Sequence, residues 1–324
     1  MPYNRQLLAL LADGGFHSGA ALAHTLGVSR SAVWKAVHAL SAHGVEVYAV
    51  PGRGYRLPAP LELLHGDTIL AQLSPRARRM LDGLEVHDEL DSTSQHLLRN
   101  AAAWPGVHAC LAERQTAGRG RRGRAWLSPL GHNIYLSVLW RFEQSPASLG
   151  GLSLAAGVAV AQVLRALGVQ GLGLKWPNDV VWQGRKLAGI LLDLNGEASG
   201  PCSVVTGVGL NVMMPQTQGA LIDQPWTDLN TILGAPVLRN RCAGRLLERL
   251  IVTFDEYARN GLAPFLEPWR AFDTLTGKTV RLQWPQGSAT GRVQGVREDG
   301  ALRLSVNGVM RYYNYGEVSV REAS

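Results

Sequence analysis

TAGRGRRGRAWLSPLG, residues 116–131, is the stretch on which the reading of the fold turns. It holds four glycines and four arginines in sixteen residues. Glycine lets the backbone approach a ligand and offers its N–H groups. Arginine offers a planar fork matched to phosphate or carboxylate. Gly118, Gly120 and Gly123 spell G-x-G-x-x-G, the dinucleotide fingerprint. That fingerprint needs a helix to open at once, so that a pyrophosphate can rest on its N-terminus. Here Trp126, Pro129 and a strand-like run at 133–140 follow, and the first long helical pattern waits until about Ser148. The x positions are all arginine. A Rossmann site is therefore rejected. What remains is a solvated basic surface loop or an anion-binding loop that is disordered until its ligand arrives, and the second is the expectation carried forward.

The bulk numbers set bounds around this loop. A chain of 324 residues has room for two or three domains, and 46% hydrophobic with 18% charged residues is a globular composition. A net charge of +7 and a pI near 9.6 permit nucleotide or nucleic-acid partners without requiring them. Cys110, Cys202 and Cys242 are far apart and make neither a metal spacing nor a disulfide framework, which fits a reducing cytoplasm. The nine histidines are scattered, so structural or surface roles are expected rather than zinc. No uninterrupted apolar run reaches the roughly 18 residues of a membrane helix. Residues 148–167 come nearest, but their Gly, Ser, Gln and Arg suit a buried helix. No signal peptide and no membrane partner are expected.

Residues 1–60 read as a winged helix-turn-helix. Leu7, Leu8, Leu10 and Leu11 give a first helix a wide apolar face. Ser18 can cap a second helix and Ser29 a third, on either side of the break at Gly27-Val28-Ser29. Val33, Val37 and Leu40 stand at i, i+4 and i+7 of the third. Between Gly19 and His38 this is the helix-turn-helix pattern, with Arg30, Ser31, Trp34, Lys35 and His38 turned away from the apolar stripe. Those side chains can reach phosphates and base edges. An alternating run at 45–50, the turn Pro51-Gly52-Arg53-Gly54 and the return Tyr55-Arg56-Leu57 read as a wing with Arg53 at its tip. A packing or dimerisation module is the alternative. Residues 61–83 read as a linker with short helices.

Residues 84–270 carry the chemistry. A strand at 84–90 runs into Asp91-Ser92-Thr93-Ser94 and a helix at 95–103, so the hydroxyls cap the helix, face a small polar ligand, or both. Gln115 offers an amide just before the basic loop. The strand at 133–140 alternates Ile134, Leu136, Val138 and Trp140, which predicts cover on one side only. Trp176-Pro177-Asn178-Asp179 is a corner that aims its polar pair, because proline does not fit a central strand. Lys186 opens a strand containing Gly189, and a further strand carries Gly207 and Gly209 before Asn211. Each feature alone is an ordinary turn, bulge or strand end. Together they suit carboxylate activation by a nucleotide, with cations offsetting the repulsion between carboxylate and α-phosphate. No G-x-x-x-x-G-K-[ST] loop exists, which argues against γ-phosphate transfer.

GRGRRGRAWLSP, KWPNDV, KLAGILL and GVGLN, in this order behind a winged helix, resemble the bifunctional biotin–protein ligase and biotin-operon repressor family of bacteria. The resemblance covers nearly the whole chain. It implies an α+β multidomain protein: a winged helix-turn-helix, a central α/β domain related to class II synthetases and lipoate ligases, and a C-terminal SH3-like barrel at 271–324. It implies that biotin and MgATP form biotinyl-5′-adenylate, which acylates a lysine of the biotin carboxyl carrier protein of acetyl-CoA carboxylase. The family's biotin contacts fall on Ser92, Thr93, Gln115, Arg119, Gly120, Arg121 and Lys186. Ser94 departs from the Asn common at its place and is shorter. Trp126 would cover the adenylate; Arg121, Lys186, Asn178 and Asn211 would lie by the nucleotide. Lys186, Arg119 and Arg121 would be catalytic, and Asp179 would orient or deprotonate the incoming lysine amine. Mg2+ would come with ATP near Asn178, without firm protein ligands. The implied partners are the carrier protein, operator DNA of biotin-synthesis genes and a second copy, in an adenylate-dependent homodimer. A ligase whose helix-turn-helix no longer regulates, and a lipoate-ligase relative, stay open.

The C-terminal runs 278–284, 289–297, 301–306 and 309–315 read as short strands, with Asn307-Gly308 as a hairpin signal.

Overall fold

A computed structural model describes residues 5–196, 200–284, 287–314 and 319–322. At the N-terminus, α1 (Arg5–Leu11), α2 (Gly19–Leu26) and α3 (Arg30–Ala42) form a three-helix unit. Ser18 accepts from the Ala21 N–H and Ser29 from the Ala32 N–H, so both serines cap as the sequence predicts. Gly27 ends α2 in the left-handed region, at φ 64°. Leu7, Leu8, Leu11, Leu22, Val33, Val37 and Leu40 close the core of this unit. The wing is shorter than expected: β1 (Tyr48–Val50) pairs antiparallel with β2 (Gly54–Arg56).

Residues 61–83 are built into the molecule. They include α4 (Gly66–Leu70) and α5 (Pro75–Met80), and Leu61, Leu63, Leu64, Ile69, Ala77 and Leu81 are buried. The next strand, β3 (Leu81–Leu90), begins at Leu81 rather than Leu84.

The central sheet follows. After β3 come α6 (Thr93–Asn100), β4 (Val107–Gln115), β5 (Ile134–Phe142), α7 (Leu152–Ala166), β6 (Leu172–Lys175), β7 (Asp179–Trp182), β8 (Arg185–Gly196) and β9 (Cys202–Leu210). The strand order is β3-β4-β5-β9-β8-β7-β6, with only β3 and β4 parallel. One face packs on α7 and on two later helices, α10 (Arg239–Asn260) and α11 (Ala263–Phe272), which follow the short α8 (Gln216–Gly219) and α9 (Leu229–Leu233). The other face carries α6 over β4, β5 and β9. This corrects the expectation for β5. Ile134, Leu136 and Val138 join the main core, while Leu139 packs under α6 with Leu97 and Val205, so the strand is covered on both sides. The stretch Pro146–Ala166 is long and apolar enough to cross a membrane, and 78% of its apolar window is buried in the core.

The C-terminal strands β10 (Thr279–Trp284), β11 (Gly287–Val296), β12 (Leu302–Val306), β13 (Val309–Tyr313) and β14 (Ser319–Glu322) form one antiparallel sheet, ordered β13-β12-β11-β10-β14. Asn307 and Gly308, at φ 50° and 79°, make the predicted hairpin. The expected strand ends at Tyr313, and Tyr315 lies outside the described residues. Trp176 Nε1 donates to Gly300 O at 3.0 Å, which ties this sheet to the corner before Asn178.

Candidate active site

A cavity of about 730 Å³ opens between α6, the 116–131 loop, β8, β9 and the segment before α9. Ser92, Thr93, Ser94, Gln115, Arg119, Gly120, Arg121, Trp126, Asn178, Asp179, Lys186 and Asn211 all line it. Every small-ligand residue singled out in the sequence is thus gathered around one space.

One wall is a chain of hydroxyls. Ser92 caps α6, accepting from the Gln95 N–H. Thr93 donates its N–H to Gln115 Oε1 at 2.9 Å and its Oγ1–H to the same oxygen at 3.2 Å. Gln115 Nε2 in turn donates to Ser128 Oγ at 3.1 Å. Thr93 Oγ1 lies 2.7 Å from Ser137 Oγ, which lies 2.9 Å from Ser94 Oγ. Because Thr93 spends its proton on Gln115, Ser137 donates to Thr93 and Ser94 donates to Ser137. That direction leaves Ser94 with acceptor lone pairs for a ligand N–H. Ser94 is thereby held by Ser137.

The basic loop is closed by its own hydrogen bonds. Trp126 N–H donates to Gly118 O at 2.8 Å and Gly120 N–H to Arg124 O at 2.7 Å, around a turn at Arg122 and Gly123. Arg119 pairs with Asp193 at 3.2 Å, and Arg121 Nη1 donates to Asn178 Oδ1 at 3.2 Å. The far end is anchored by the Tyr135 hydroxyl, which donates to Pro129 O at 2.9 Å; burial raises that phenol's pKa and keeps it neutral.

Trp126 lies flat on the sheet. A Cβ built on Gly209 would meet its ring at 2.4 Å, and one on Gly189 at 2.9 Å. These two glycines face each other across β8 and β9 and leave the groove the indole fills. Lys186 Nζ sits 5.4 Å from the indole centroid and 2.8 Å from Asp179 Oδ1. The corner works as predicted: Asn178 donates its side-chain N–H to Ile190 O at 2.7 Å, leaving Oδ1 to Arg121. Asn211 is 3% exposed and donates to Thr227 O, while its Oδ1 has no hydrogen-bond partner among the described residues. That carbonyl oxygen is a ready acceptor for a ligand. The cavity thus brings three cationic groups, Arg119, Arg121 and Lys186, against hydroxyl and amide donors, over a flat aromatic surface.

Residues 86–211 match the Biotin/lipoate A/B protein ligase family, residues 4–56 an HTH domain, and residues 275–321 the biotin protein ligase C-terminal domain. Over 318 residues the chain is 41% identical to the bifunctional ligase/repressor BirA of Escherichia coli (strain K12), covering 98% of this chain and 97% of that one. The chain belongs to the bifunctional biotin ligase/repressor family. The Bacillus subtilis bifunctional ligase/repressor is 32% identical over 317 residues, covering 96% of each chain. Among solved structures, the Aquifex aeolicus biotin protein ligase in complex with biotin and ATP is similar with a TM-score of 0.63 at 28% identity, covering 75% of this chain and 100% of that one.

The cavity is also lined by residues that the sequence did not single out. Ser137 and Ser128 hold Thr93, Ser94 and Gln115; Ser137 was visible only as a polar break in an apolar strand. Leu221, Ile222, Asp223, Gln224 and Trp226 form a cavity wall with no periodic pattern to announce them. Lys186 N–H donates to Pro225 O and its carbonyl accepts from Thr227 N–H, so this segment fixes the backbone of the lysine. Ala42, His43 and Gly44, at the end of α3, also line the cavity, and Gln218 Nε2 donates to Gly44 O at 3.2 Å. Along α3, Arg30, Ser31, Trp34, Lys35 and His38 are exposed, with the Trp34 and His38 rings tilted at 37° and their centroids 3.9 Å apart. Arg53 is exposed at the wing tip, its guanidinium 4.0 Å from the Phe16 ring centre. The three cysteines are buried, and burial raises all three thiols, so none is an activated nucleophile.

Proposed function

We propose that this cavity forms biotinyl-5′-adenylate and passes the biotinyl group to a lysine of a biotin carboxyl carrier protein. The observation that carries the reading is the convergence of Lys186, Arg119 and Arg121 on one cavity whose other wall is the Ser94–Ser137–Thr93–Gln115 chain. The hydroxyl wall, with Ser92, supplies the polar contacts a ureido ring needs. A biotin carboxylate would leave that wall and lie between the cations. There its oxygen attacks the α-phosphorus of ATP, and the P–O bond to pyrophosphate breaks. Lys186 and Arg121 stabilise the charge that builds on phosphorus. Gly120 lets the loop backbone approach, and Trp126 covers the adenylate from the sheet side. Asn178 and Asn211 hold the nucleotide by their amides.

In the second step the carrier amine attacks the acyl carbon and AMP leaves. The amine must first lose a proton, and Asp179 is the carboxylate at hand. Its present partner, Lys186, would turn to the phosphate and release it. Mg2+ enters with the nucleotide near Asn178. Asp179 and Asp193 are paired with Lys186 and Arg119.

The repressor role uses the exposed face of α3 and the Arg53 wing, with residues 1–60 acting as the DNA-reading unit, 84–270 as the ligase and 271–324 as a cover. Adenylate on the loop favours a homodimer, and the dimer presents two winged helices to palindromic operator half-sites of biotin-synthesis genes. The free cysteines and the burial of the one long apolar helix found among the described residues support a cytoplasmic place for this work. Purified protein, ATP and radiolabelled biotin or lipoate, with a carrier domain present, test the ligase reading. Label on one carrier lysine from biotin alone is the expected result; label from lipoate instead would replace it.

A further inference from the structure

Behind the ligand wall, under α6, the sheet gathers side chains that the sequence keeps apart. Glu85 and His87 are two residues apart on β3 and so share a face. Cys110 is the register partner of Glu85 on the parallel strand β4 and faces the same way. His96 comes down from α6, which packs on β4. One ligand atom each from His87, His96 and Cys110 lies within 4.8 Å of the others. Glu85 Oε2 is 2.7 Å from Nε2 of both histidines, whose rings meet edge to face at 4.8 Å. The sequence spacing gave no hint of this, because the three elements are brought together only by the parallel pairing of β3 with β4 and by α6 crossing over them.

We propose that His87, His96 and Cys110, with Glu85 as fourth donor, bind a borderline-soft divalent cation of the Zn2+ class, clipping β3 and β4 to α6. Two imidazoles, one thiolate and one carboxylate are the donor set that such an ion takes in four-coordinate sites. Metal–nitrogen and metal–oxygen bonds of about 2.0–2.2 Å and a metal–sulfur bond of about 2.3 Å place neighbouring ligand atoms about 3.3–3.7 Å apart. The observed separations, up to 4.8 Å, are about an ångström wider than that, so binding draws the three side chains together. Coordination takes the Sγ–H proton off Cys110 and releases it to solvent, so the ion replaces the proton in the same buried spot. Access is from outside: the side chains of His87 and His96 are 32% and 18% exposed, while Cys110 closes the inner end. A hydrogen-bonded Glu–His pair accounts for Glu85 and the rings, and the apolar cluster with Leu97, Leu139 and Val205 for a buried thiol; neither requires the sulfur to lie within 4.8 Å of ligand atoms of both imidazoles.

The position gives the clip a consequence. His87 lies five residues before Ser92, and His96 two residues after Ser94. An ion there pins both sides of the turn that carries the hydroxyl wall, in the manner of a structural zinc holding a loop.

Full-length protein stripped with a chelator would be titrated with Zn2+ against a chromophoric chelator, and with Co2+ as a spectroscopic probe. One Zn2+ should bind per chain, and Co2+ should show tetrahedral d–d bands with a thiolate charge-transfer band. Cys110→Ser should abolish the charge-transfer band, and His87→Gln, at the exposed edge, should weaken Zn2+ binding at least tenfold. Zn2+ should raise the melting temperature of the wild type and not of His87→Gln. Equal binding to wild type and both variants, or bound Co2+ without a thiolate band, would overturn the proposal. If Cys110→Ser does not fold, the His87→Gln titration and the wild-type Co2+ spectrum decide it.

Discussion

Arg121 reaches from the basic loop to Asn178 at the Trp-Pro-Asn-Asp corner and so bridges two parts of the cavity lining. Removing that arm should leave adenylation possible but let the adenylate escape. Arg121→Gly is therefore expected to label bystander lysines throughout a protein mixture, read by avidin blot. Label confined to the carrier would contradict the arm's role. His132, just beyond the loop, makes a second residue-scale prediction. Burial and the nearby Arg239 guanidinium push its imidazole down to about 4. An exposed histidine titrates near about 6.5, so between these values the unfolded chain holds more protons than the folded one. Stability therefore rises with pH across that window and is lost as pH falls from about 6.5 toward 4. Acidification from about pH 7 to pH 5 should cost about 2 kcal/mol in denaturant midpoints, and His132→Asn should flatten that slope. Asp91, which hydrogen bonds with Arg99 lower to about 2, adds a loss only at more acid pH.

At the scale of elements, the glycine-bearing strands β8 and β9 make the floor. Gly207 lies opposite Ser137, and a Cβ on it would stand 2.6 Å from Ser94 Oγ. Gly207→Ala should push Ser94 off Ser137 and raise KM for biotin about tenfold or more, with KM for ATP little changed; equal changes in both would point to general distortion instead. Much at this scale was legible. Ser18 and Ser29 announced their helices, Asn307-Gly308 its hairpin, and the Trp-Pro-Asn-Asp corner its turn. Each of these signals is local, carried by a hydroxyl or a backbone angle within four residues. Ser137 and residues 221–226 were not legible, because their roles depend on which strand lies beside which. The double cover of β5 was hidden for the same reason: Leu139 is buried only because α6 crosses over it.

At the scale of the whole molecule, the DNA-reading unit is joined to the ligase by buried polar and apolar contacts. Glu113, on β4 two residues before Gln115, is fully buried and pairs with Arg239 at 2.9 Å, while accepting from Leu64 N–H. Arg5 of α1 donates to Leu64 O at 2.7 Å and pairs with Asp88. Leu130, at the end of the basic loop, belongs to the same apolar cluster as Leu7, Leu40, Leu61 and Leu63. Neither link could be read from sequence, since Glu113 and Arg239 stand on β4 and α10. A further contact runs from the cavity wall through Gln218 to Gly44, just after α3. Gln218→Ala should leave carrier labelling within about twofold of wild type while reducing the effect of biotin plus ATP on operator affinity, as read by footprinting. An undiminished ligand effect would remove this contact from the coupling.

All of this rests on one chemical step, the joining of a carboxylate to AMP in this cavity. Biotin-dependent exchange of labelled pyrophosphate into ATP measures that step without carrier or DNA. Wild-type protein should exchange with biotin and not with lipoate, and Lys186→Ala, which removes the cation beside Asp179 and Trp126, should be slower by about 10²–10³-fold. No biotin-dependent exchange in the wild type, or full exchange in Lys186→Ala, would contradict the account.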